Sequence, residues 1–501
     1  MKDTNLDKSL LGHPKPLFSL SMTELWERFS FYGIRPLLVL FMAATLAQGG
    51  LEIPRDQAAA IVGIFGSCLY LATLPGAWLA DNILGQKKAV FIGAIIIALG
   101  HLSIALSIFN SLMFFLGLVF IVIGTGLFKT CASVMVGTLY KKDDPRRDSG
   151  FTIFYMGINL GAFIAPLICG FINQKYGWHL GFGVGGLGML VALLIFAFKT
   201  IPDFNEFHSK VGLEYDYTKP LQKSKYANLV FIIGAILVLG FLILAFTGFI
   251  SLDPISLSKK MIFIILSFAG IYFLYLLFFT GISKDDKKSL LIFIILFLAA
   301  ATFWGAFEQK PTTFNLFAQD FTDRMLFGFE IPAVWFQSLN PLFIIILAPI
   351  IAGIWIKLSK MSFEISSITK FGLGVLGAGL GFGIMILASK SVLANNGTSV
   401  SMLYITISIL FLTLGELCLS PVGLSIMSKI APKIIKNQVM GLWFVASSLG
   451  NIIAGLIGGG IDQKNIASLP ELFQTCMFVL LGVAVLLFIL KPFISKLTKN
   501  S

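Results

Sequence analysis

Four ionisable residues lie in the first long apolar stretch of the chain: Glu24, Glu27, Arg28 and Arg35. At 100° per residue, Glu24, Arg28 and Arg35 project within about 40° of one line along an α-helix, with Glu27 beside it. A charged side chain in the middle of a bilayer costs roughly 2.5–3.5 kcal/mol on insertion scales. We therefore expect this charged stripe to face partner charges or a water-filled cavity, as intramembrane charges on substrate and ion pathways do.

Four further charges lie inside apolar stretches: Lys129, Glu308, Lys310 and Glu416. The eight charges comprise four acids and four bases, as expected if they pair around a shared cavity, because unpaired buried ions are costly. A cavity with a basic and an acidic wall suits a zwitterion. Ion pairs that only hold helices together remain the alternative for any single pair. Lys310 lies 200° from Glu308, so we expect its side chain to extend to the outer membrane surface.

Several uncharged side chains also interrupt apolar stretches and are candidate pocket residues, although for each alone packing is the better explanation. These are Tyr70, Asn159, Trp304, Trp443 and Ser447. The five cysteines and four histidines show no metal-ligand spacing, and we expect no metal site.

The elements that must position these residues are membrane-spanning helices. The chain has 501 residues, 57% hydrophobic and 12% charged, a composition typical of an all-α polytopic membrane protein. We predict fourteen spans and no cleavable signal peptide. The spans are 17–47, 57–80, 89–109, 112–138, 151–173, 179–199, 227–250, 261–281, 290–319, 333–357, 367–389, 401–429, 437–459 and 472–490.

The basic residues give the orientation of these spans. Of the 37 Lys and Arg residues, 26 fall in one set of alternate loops and termini, seven in the other set, and four inside spans. By the positive-inside rule, both termini are expected to be cytoplasmic. The net charge of +12 is therefore a topology signal, and we do not expect nucleic-acid binding.

An internal repeat divides the chain. Residues 160–170 (LGAFIAPLICG) and 449–459 (LGNIIAGLIGG) are identical at seven of eleven positions. A repeat of this kind predicts two six-helix bundles related by an axis along the membrane normal. We expect residues 1–200 to form the N-terminal bundle and residues 289–501 the C-terminal one. Residues 201–288 then supply a cytoplasmic linker and two extra spans.

Four motifs now resemble those of one family. Glu24-x-x-Glu27-Arg28 is similar to the first-helix E-x-x-E-R motif of the proton-dependent oligopeptide transporter (POT) family of the major facilitator superfamily. Residues 76–100, which include Asp81, and residues 154–161 (FYMGINLG) resemble its two signatures. Residues 415–424 resemble its helix-10 stretch. The resemblance covers both halves of the chain, and bacterial members carry two extra helices between the halves.

This resemblance implies a proton-coupled symporter that imports di- and tripeptides by alternating access and binds the peptide between the two bundles. It implies that Glu24, Glu27, Arg28, Lys129 and Glu308 couple protons, and that Arg35, Glu308 and Asp81 act in gating. The substrate-binding residues that it implies are Arg35, Lys129, Glu416, Tyr32, Tyr70, Asn159, Trp304, Trp443 and Ser447. No cofactor other than the proton is expected, and we expect a monomer in the lipid bilayer of the inner (cytoplasmic) membrane.

Three positions depart from the family pattern: Phe31 replaces a frequent tyrosine, Thr130-Cys131 replaces a frequent Pro-Asn, and Gly63 lies where animal members carry a histidine. These departures bear on side-chain preference. A carrier of the same fold for an amino acid, nitrate or another small metabolite remains the alternative. A channel is a further alternative. An intramembrane enzyme is not expected, because the chain has neither H-E-x-x-H nor a phosphate-binding loop motif.

Overall fold

Long helices make up nearly all of the structure, a computed structural model that describes residues 4–141, 143–213, 216–221, 224–250, 252–361 and 365–499. Lys2, Lys142 and Lys223, which count among the 26 basic loop residues, lie outside these ranges. In the described part there are fourteen long helices. They are α1 Lys15–Ala43, α2 Arg55–Leu79, α3 Gln86–Ala105, α4 Leu112–Thr138, α5 Arg147–Tyr176, α6 Trp178–Ile195, α7 Ala227–Phe246, α8 Pro254–Phe279, α9 Lys284–Phe307, α10 Leu339–Lys360, α11 Ser367–Ala394, α12 Leu403–Ile430, α13 Val439–Gly458 and α14 Leu469–Lys499.

Each predicted span coincides with one of these helices. Thirteen of them are long and apolar enough to cross a membrane, and α1 has comparable length but carries the four charges described above. The prediction of an all-α polytopic membrane protein is therefore confirmed. Shorter helices are Thr4–Asp7 at the start, Ile201–Lys210 after α6 and Asn315–Phe321 after α9.

Local sequence explains several helix ends. Asp253, Ser283 and Ser366 cap α8, α9 and α11, each accepting a hydrogen bond from a backbone N–H of the first turn. Between α2 and α3 the chain turns at Gly85, whose φ of +75° is a conformation that glycine adopts without strain.

Two short β ladders lie near the ends of the C-terminal helices. The strand β1 (Thr322–Asp323) pairs in parallel with β4 (Val400–Ser401), and β2 (Met325–Leu326) pairs antiparallel with β3 (Phe329–Glu330). The β1–β4 ladder joins the loop after the short helix Asn315–Phe321 to the loop before α12, whereas β2 and β3 form a hairpin within the first of these loops.

The described residues form two compact units. The first comprises residues up to 37, 47–51 and 68–252, and the second comprises residues 38–46, 52–67 and 253–501. The chain thus passes from the first unit to the second within α1, just after Pro36. The division into two bundles and a linker, made from the repeat, stays a prediction.

Glycines bring helices into backbone contact inside the first unit. A Cβ atom on Gly161 of α5 would lie 2.3 Å from the Leu25 carbonyl oxygen of α1, and one on Gly93 of α3 would lie 2.7 Å from the Gly124 carbonyl oxygen of α4. Larger residues there would force the helices apart, as at other small-residue membrane interfaces. Gly161 therefore holds α5 close to the charged stretch of α1.

The second unit contains the first half of α2. The Ser67 and Ser448 hydroxyls lie 2.6 Å apart, both fully buried, and a Cβ atom on Gly63 would lie 2.8 Å from the Gly455 Cα atom. At the start of α2, Arg55 forms an ion pair with Asp320, whose side chain is buried. These contacts join the first half of α2 to α13 and to the short helix after α9.

Outside the spans, the N-terminal segment is fastened to the connection between α4 and α5. Arg146 binds the Asp7 carboxylate at 3.1 Å and also donates to the Asp7 and Gly12 carbonyl oxygens. The imidazole Nδ1 of His13 lies 2.8 Å from the Tyr140 hydroxyl. Burial and, secondarily, the Arg146 guanidinium hold the pKa of His13 below its ordinary value of 6.5.

Candidate functional site

The three charged residues of the E-x-x-E-R motif form one buried cluster on α1. Arg28 donates from Nη2 to Glu27 Oε1 at 2.7 Å and pairs through Nε with Glu27 Oε2. The same Nε lies 3.2 Å from Glu24 Oε1. All three residues are at most 5% exposed, so the arginine offsets the desolvation of both carboxylates. One oxygen, Glu24 Oε2, is buried and accepts no hydrogen bond within the described residues.

An aromatic ring separates this cluster from Arg35. The Arg28 and Arg35 guanidinium carbons lie 5.4 and 5.6 Å from the centroid of the Phe31 ring, within cation–π distance of it. The Tyr32 ring packs edge-to-face on Phe31 at 5.1 Å. Phe31 thus fills the space along the charged stripe where a tyrosine would have added a hydroxyl group.

Lys129 of α4 and Tyr70 of α2 meet in the same unit. The Lys129 ammonium lies 4.4 Å from the centroid of the Tyr70 ring, and its charge acts electrostatically on Glu24. The half-buried Lys129 is therefore a second base for the α1 cluster. Asn159 of α5 is buried and donates to the Tyr155 carbonyl oxygen at 2.9 Å, so in this structure its amide bonds within its own helix.

The backbone changes its winding just beyond Glu308 in the second unit. The helix α9 ends at Phe307, and the Phe314 N–H donates to the Gln309 carbonyl oxygen five residues back at 3.1 Å. Residues Lys310–Phe314 form this π-helical segment, which breaks the 100° spacing of a regular helix.

The expectation that Lys310 extends to the outer membrane surface is wrong. Lys310 is 7% exposed, its ammonium lies 3.2 Å from the centroid of the Phe307 ring, and it donates to Asn340 Oδ1 at 2.8 Å. The 200° separation from Glu308 assumed a continuous α-helix, and the turn at Glu308 followed by the π segment directs Lys310 into the unit instead.

Asn340 of α10 connects Lys310 to Glu416 of α12. Its Oδ1 accepts from Lys310, and its Nδ2 donates to Glu416 Oε2 at 3.0 Å and to Thr413 Oγ1 at 2.9 Å. Glu308 and Lys310 both act electrostatically on Glu416. We call Lys310, Asn340, Thr413 and Glu416 the amide-bridged cluster. Asn340 was not among the candidates taken from the sequence. The only feature in the sequence that could have indicated it is a polar amide side chain, next to Pro341, near the start of an apolar span.

Two tryptophans predicted as pocket residues pack together in the second unit. The Trp304 and Trp443 rings are perpendicular, with centroids 6.2 Å apart. A Cβ atom on Gly450 would lie 2.5 Å from Trp304 Cβ, so only glycine admits this approach of α9 to α13. The Ser447 hydroxyl donates to the Trp443 carbonyl oxygen at 3.2 Å.

Asp81 lies at the end of α2, away from these clusters in sequence. It belongs to the π-helical turn Ala80–Leu84, and its Oδ1 accepts from the Gln86 side chain at 2.9 Å. Within the described residues, no group of three or more His, Cys, Asp or Glu side chains could hold a metal ion.

The chain resembles known transporters over almost its whole length. Residues 87–472 match the model of the POT family. The chain is 54% identical to the peptide transporter YePEPT of Yersinia enterocolitica over 496 residues, 99% of this chain and 97% of that one. It is 38% identical to the di-/tripeptide transporter of Lactococcus lactis subsp. cremoris over 460 residues, 89% of each chain.

A solved structure gives the same result. A crystal structure of the peptide transporter POT in complex with sulfate superposes with a TM-score of 0.87 at 36% identity, covering 98% of this chain and 96% of that one. The predicted major facilitator superfamily fold is thereby confirmed. With a family model that matches more than half of its length and relatives that cover nearly all of it, the chain belongs to the POT family of membrane transporters.

Proposed function

We propose that the protein is a proton-coupled symporter that imports di- and tripeptides by alternating access. Membership of the POT family and the relatives described as peptide transporters support this function. The structural observation that carries it is the buried Glu24–Arg28–Glu27 cluster, in which Glu24 Oε2 accepts no hydrogen bond from the described part of the chain. A buried carboxylate of this kind can take up a proton, and doing so weakens its ion pair with the arginine.

This arrangement supports a set of proposed coupling residues. Glu24, Glu27 and Arg28 form the proton-responsive cluster, and Lys129 acts on it from α4. Glu308 supplies a carboxylate beside the amide-bridged cluster and is the proposed proton acceptor of the second unit. Protonation of a carboxylate in a poorly hydrated site removes the negative charge from its ion pair. The loss of that attraction shifts the equilibrium between the two conformations of the transport cycle.

The substrate residues separate by charge. Glu416 and the carbonyl oxygen of Asn340 are acceptors suited to a peptide amine, whereas Arg35 and Lys129 are donors suited to a carboxylate. Tyr32, Tyr70, Asn159, Trp304, Trp443 and Ser447 are proposed to surround the rest of the peptide. Arg35, Glu308 and Asp81 are proposed to act in gating.

The protein is a multi-pass membrane transporter and not an enzyme. As a POT family member it needs no cofactor, and the proton is the coupling ion. We propose that it lies in the inner membrane with both termini cytoplasmic and works as a monomer in the bilayer. Labelling of single cysteines introduced at Ser9 and Lys464 with an impermeant maleimide tests the orientation, since the two residues lie in opposite loop sets. Light scattering in detergent tests the oligomeric state.

Uptake into proteoliposomes with an imposed pH gradient tests the function. We expect labelled dialanine to accumulate above its external concentration only when the outside is acidic, and unlabelled di- and tripeptides to compete with it. Dissipation of the gradient by an ionophore is the matched control. Accumulation of alanine or nitrate without competition by dipeptides would replace the peptide by another solute, and flux that never exceeds equilibration would indicate a channel.

A further inference from the structure

The Thr413 hydroxyl lies at the junction between α12 and the amide-bridged cluster. Its Oγ1 is 2.7 Å from the Ile409 carbonyl oxygen, one turn earlier in the same helix, and 2.9 Å from Asn340 Nδ2. The side chain is fully buried. The hydroxyl therefore makes two hydrogen bonds inside the protein, one as donor and one as acceptor.

The directions of these two hydrogen bonds are fixed. A carbonyl oxygen can only accept, so the single hydroxyl hydrogen of Thr413 is donated to Ile409. The contact with Asn340 must then be one in which Thr413 accepts and the amide Nδ2 donates. Thr413 can therefore only accept a hydrogen bond from the Asn340 side chain. Of the two ends of that amide only the NH2 group donates, so this is the end that faces Thr413.

The orientation of the Asn340 amide decides what the cluster can bind. With Nδ2 toward Thr413 and Glu416, the Oδ1 atom faces the Lys310 ammonium. A flipped amide would present two N–H donors to a cation and its oxygen to a carboxylate, and both contacts would be repulsive.

Lys310 and Glu416 favour the same orientation only while both keep their charge and position. If Lys310 withdraws and Glu416 takes a proton, these two residues no longer hold the amide. The Thr413 hydroxyl is uncharged, and its hydrogen stays committed to Ile409, so its preference persists through such changes.

We propose that Thr413 is a positioning residue for substrate recognition: it keeps Asn340 Oδ1 directed toward an ammonium group, so that a peptide amine can take the place of Lys310. The inference rests on the proposed peptide transport. Thr413 does not need to touch the peptide, because it acts through Asn340.

The test compares Thr413→Val, which keeps the shape but lacks the hydroxyl, with Thr413→Ser, which keeps the hydroxyl. Thr406→Val is the matched control, because the Thr406 hydroxyl makes the same bond to Met402 one turn earlier and, in the described part of the chain, no further hydrogen bond. The KM for dialanine and the inhibition constant of N-acetyl-dialanine are measured in proteoliposomes.

We expect Thr413→Val to raise the KM for dialanine about tenfold, equivalent to about 1.4 kcal/mol, with little change in kcat. Inhibition by the N-acetylated peptide, which has no ammonium group, should not change. Thr413→Ser, which keeps the hydroxyl, should have a KM close to that of the wild type, and so should Thr406→Val. Equal loss for both peptides, or failure of the serine variant to restore the KM, would overturn the proposal.

A second measurement is independent of substrate. In a double-mutant cycle with Asn340→Ala, the melting temperature should fall on Thr413→Val in the wild-type background and much less in the Asn340→Ala background. Equal shifts in both backgrounds would rule out the Thr413–Asn340 bond. If the wild type fails to transport dipeptides, the proposed function fails, and this cycle still decides whether Thr413 positions Asn340.

Discussion

The two buried charge clusters offset the desolvation cost of buried charges in different ways. On α1, Arg28 pairs directly with both Glu24 and Glu27, so one positive charge is shared by two carboxylates of the same helix. In the second unit, a neutral amide stands between Lys310 and Glu416, and the four members of the cluster come from three separate segments. The first cluster is local in sequence, and the second exists only in the folded unit.

This difference has a functional consequence. The α1 cluster moves with its helix and can change state only when a proton or another charge reaches it. The amide-bridged cluster depends on the spacing of the π-helical segment Lys310–Phe314, α10 and α12, and its lysine occupies an acceptor that an external ammonium could use. We therefore expect the first cluster to respond chiefly to protons and the second chiefly to the substrate amine.

Replacement of the α1 arginine should produce the largest effect. Arg28→Met leaves two buried carboxylates side by side without their arginine, and breaking a buried pair in this way costs about 3–5 kcal/mol. We expect loss of uphill dipeptide uptake and a marked fall in melting temperature. The control is Lys288→Met, which breaks the exposed pair with Asp285, where at most about 1 kcal/mol is expected. Equal melting temperatures for the two variants would show that the α1 cluster does not stabilise the fold more than an exposed ion pair.

Glu308→Gln should separate coupling from transport. The amide keeps the size of the carboxylate but cannot take up a proton, so proton-driven accumulation should be lost while peptide exchange across the membrane persists. Both are measured with the same labelled dipeptide, with and without a pH gradient. Accumulation at the wild-type level would remove Glu308 from the coupling residues.

Glu416→Gln should affect recognition more than stability. Its amide oxygen can still accept from Asn340 Nδ2, but the negative charge that a peptide amine would meet is gone. We expect the KM for dialanine to rise about tenfold and the melting temperature to change little. Glu471→Gln, at the exposed start of α14, serves as the control. A large fall in melting temperature with an unchanged KM would contradict a role of the amide-bridged cluster in binding the substrate amine.

The smallest effect is expected at His13, outside the spans. Its pKa in the folded protein is below 6.5, so the unfolded chain binds more protons at and somewhat below that pH. The stability contributed by neutral His13 is thus complete above about pH 6.5 and is lost as the pH falls through the folded pKa. Hydrogen exchange of residues 6–13 should therefore be faster at pH 5.5 than at pH 7.5 after correction for the intrinsic rate. His13→Gln should weaken that dependence, and an unchanged dependence would assign it to another group.

The sequence predicted the local cluster and missed the non-local one for a physical reason. Residues on one uninterrupted helix have fixed angular spacing, so Glu24, Glu27 and Arg28 could be placed together without a structure. Lys310 was placed wrongly because the π segment changes that spacing, and the one residue-level signal of a break, Pro311, was not used. Asn340 gains its importance only from the packing of α10 beside α12, which a single sequence does not specify.

The number of spanning helices was predicted correctly, whereas the division of α2 between the two units was not among the predictions. Apolar length determines where a span begins and ends, and all fourteen spans coincide with helices. Residues 55–67 of α2 belong to the second unit because small residues such as Gly63 and Ser67 contact α13. An internal repeat assigns whole helices and cannot reveal a division within one.

The π segment after Glu308 also determines how variation along this stretch should be interpreted. In a regular helix, sensitivity to substitution recurs every 3.6 residues, so a saturation scan of residues 284–321 would show one continuous wave. Here the positions that are sensitive to substitution should be displaced between Glu308 and Asn315. The reason is that the hydrogen bond from the Phe314 N–H to the Gln309 carbonyl oxygen spans five residues and not four. Deletion of a single residue within 310–314 should be better tolerated by the backbone than one in α9, because it restores an ordinary turn, yet it would rotate every side chain beyond it.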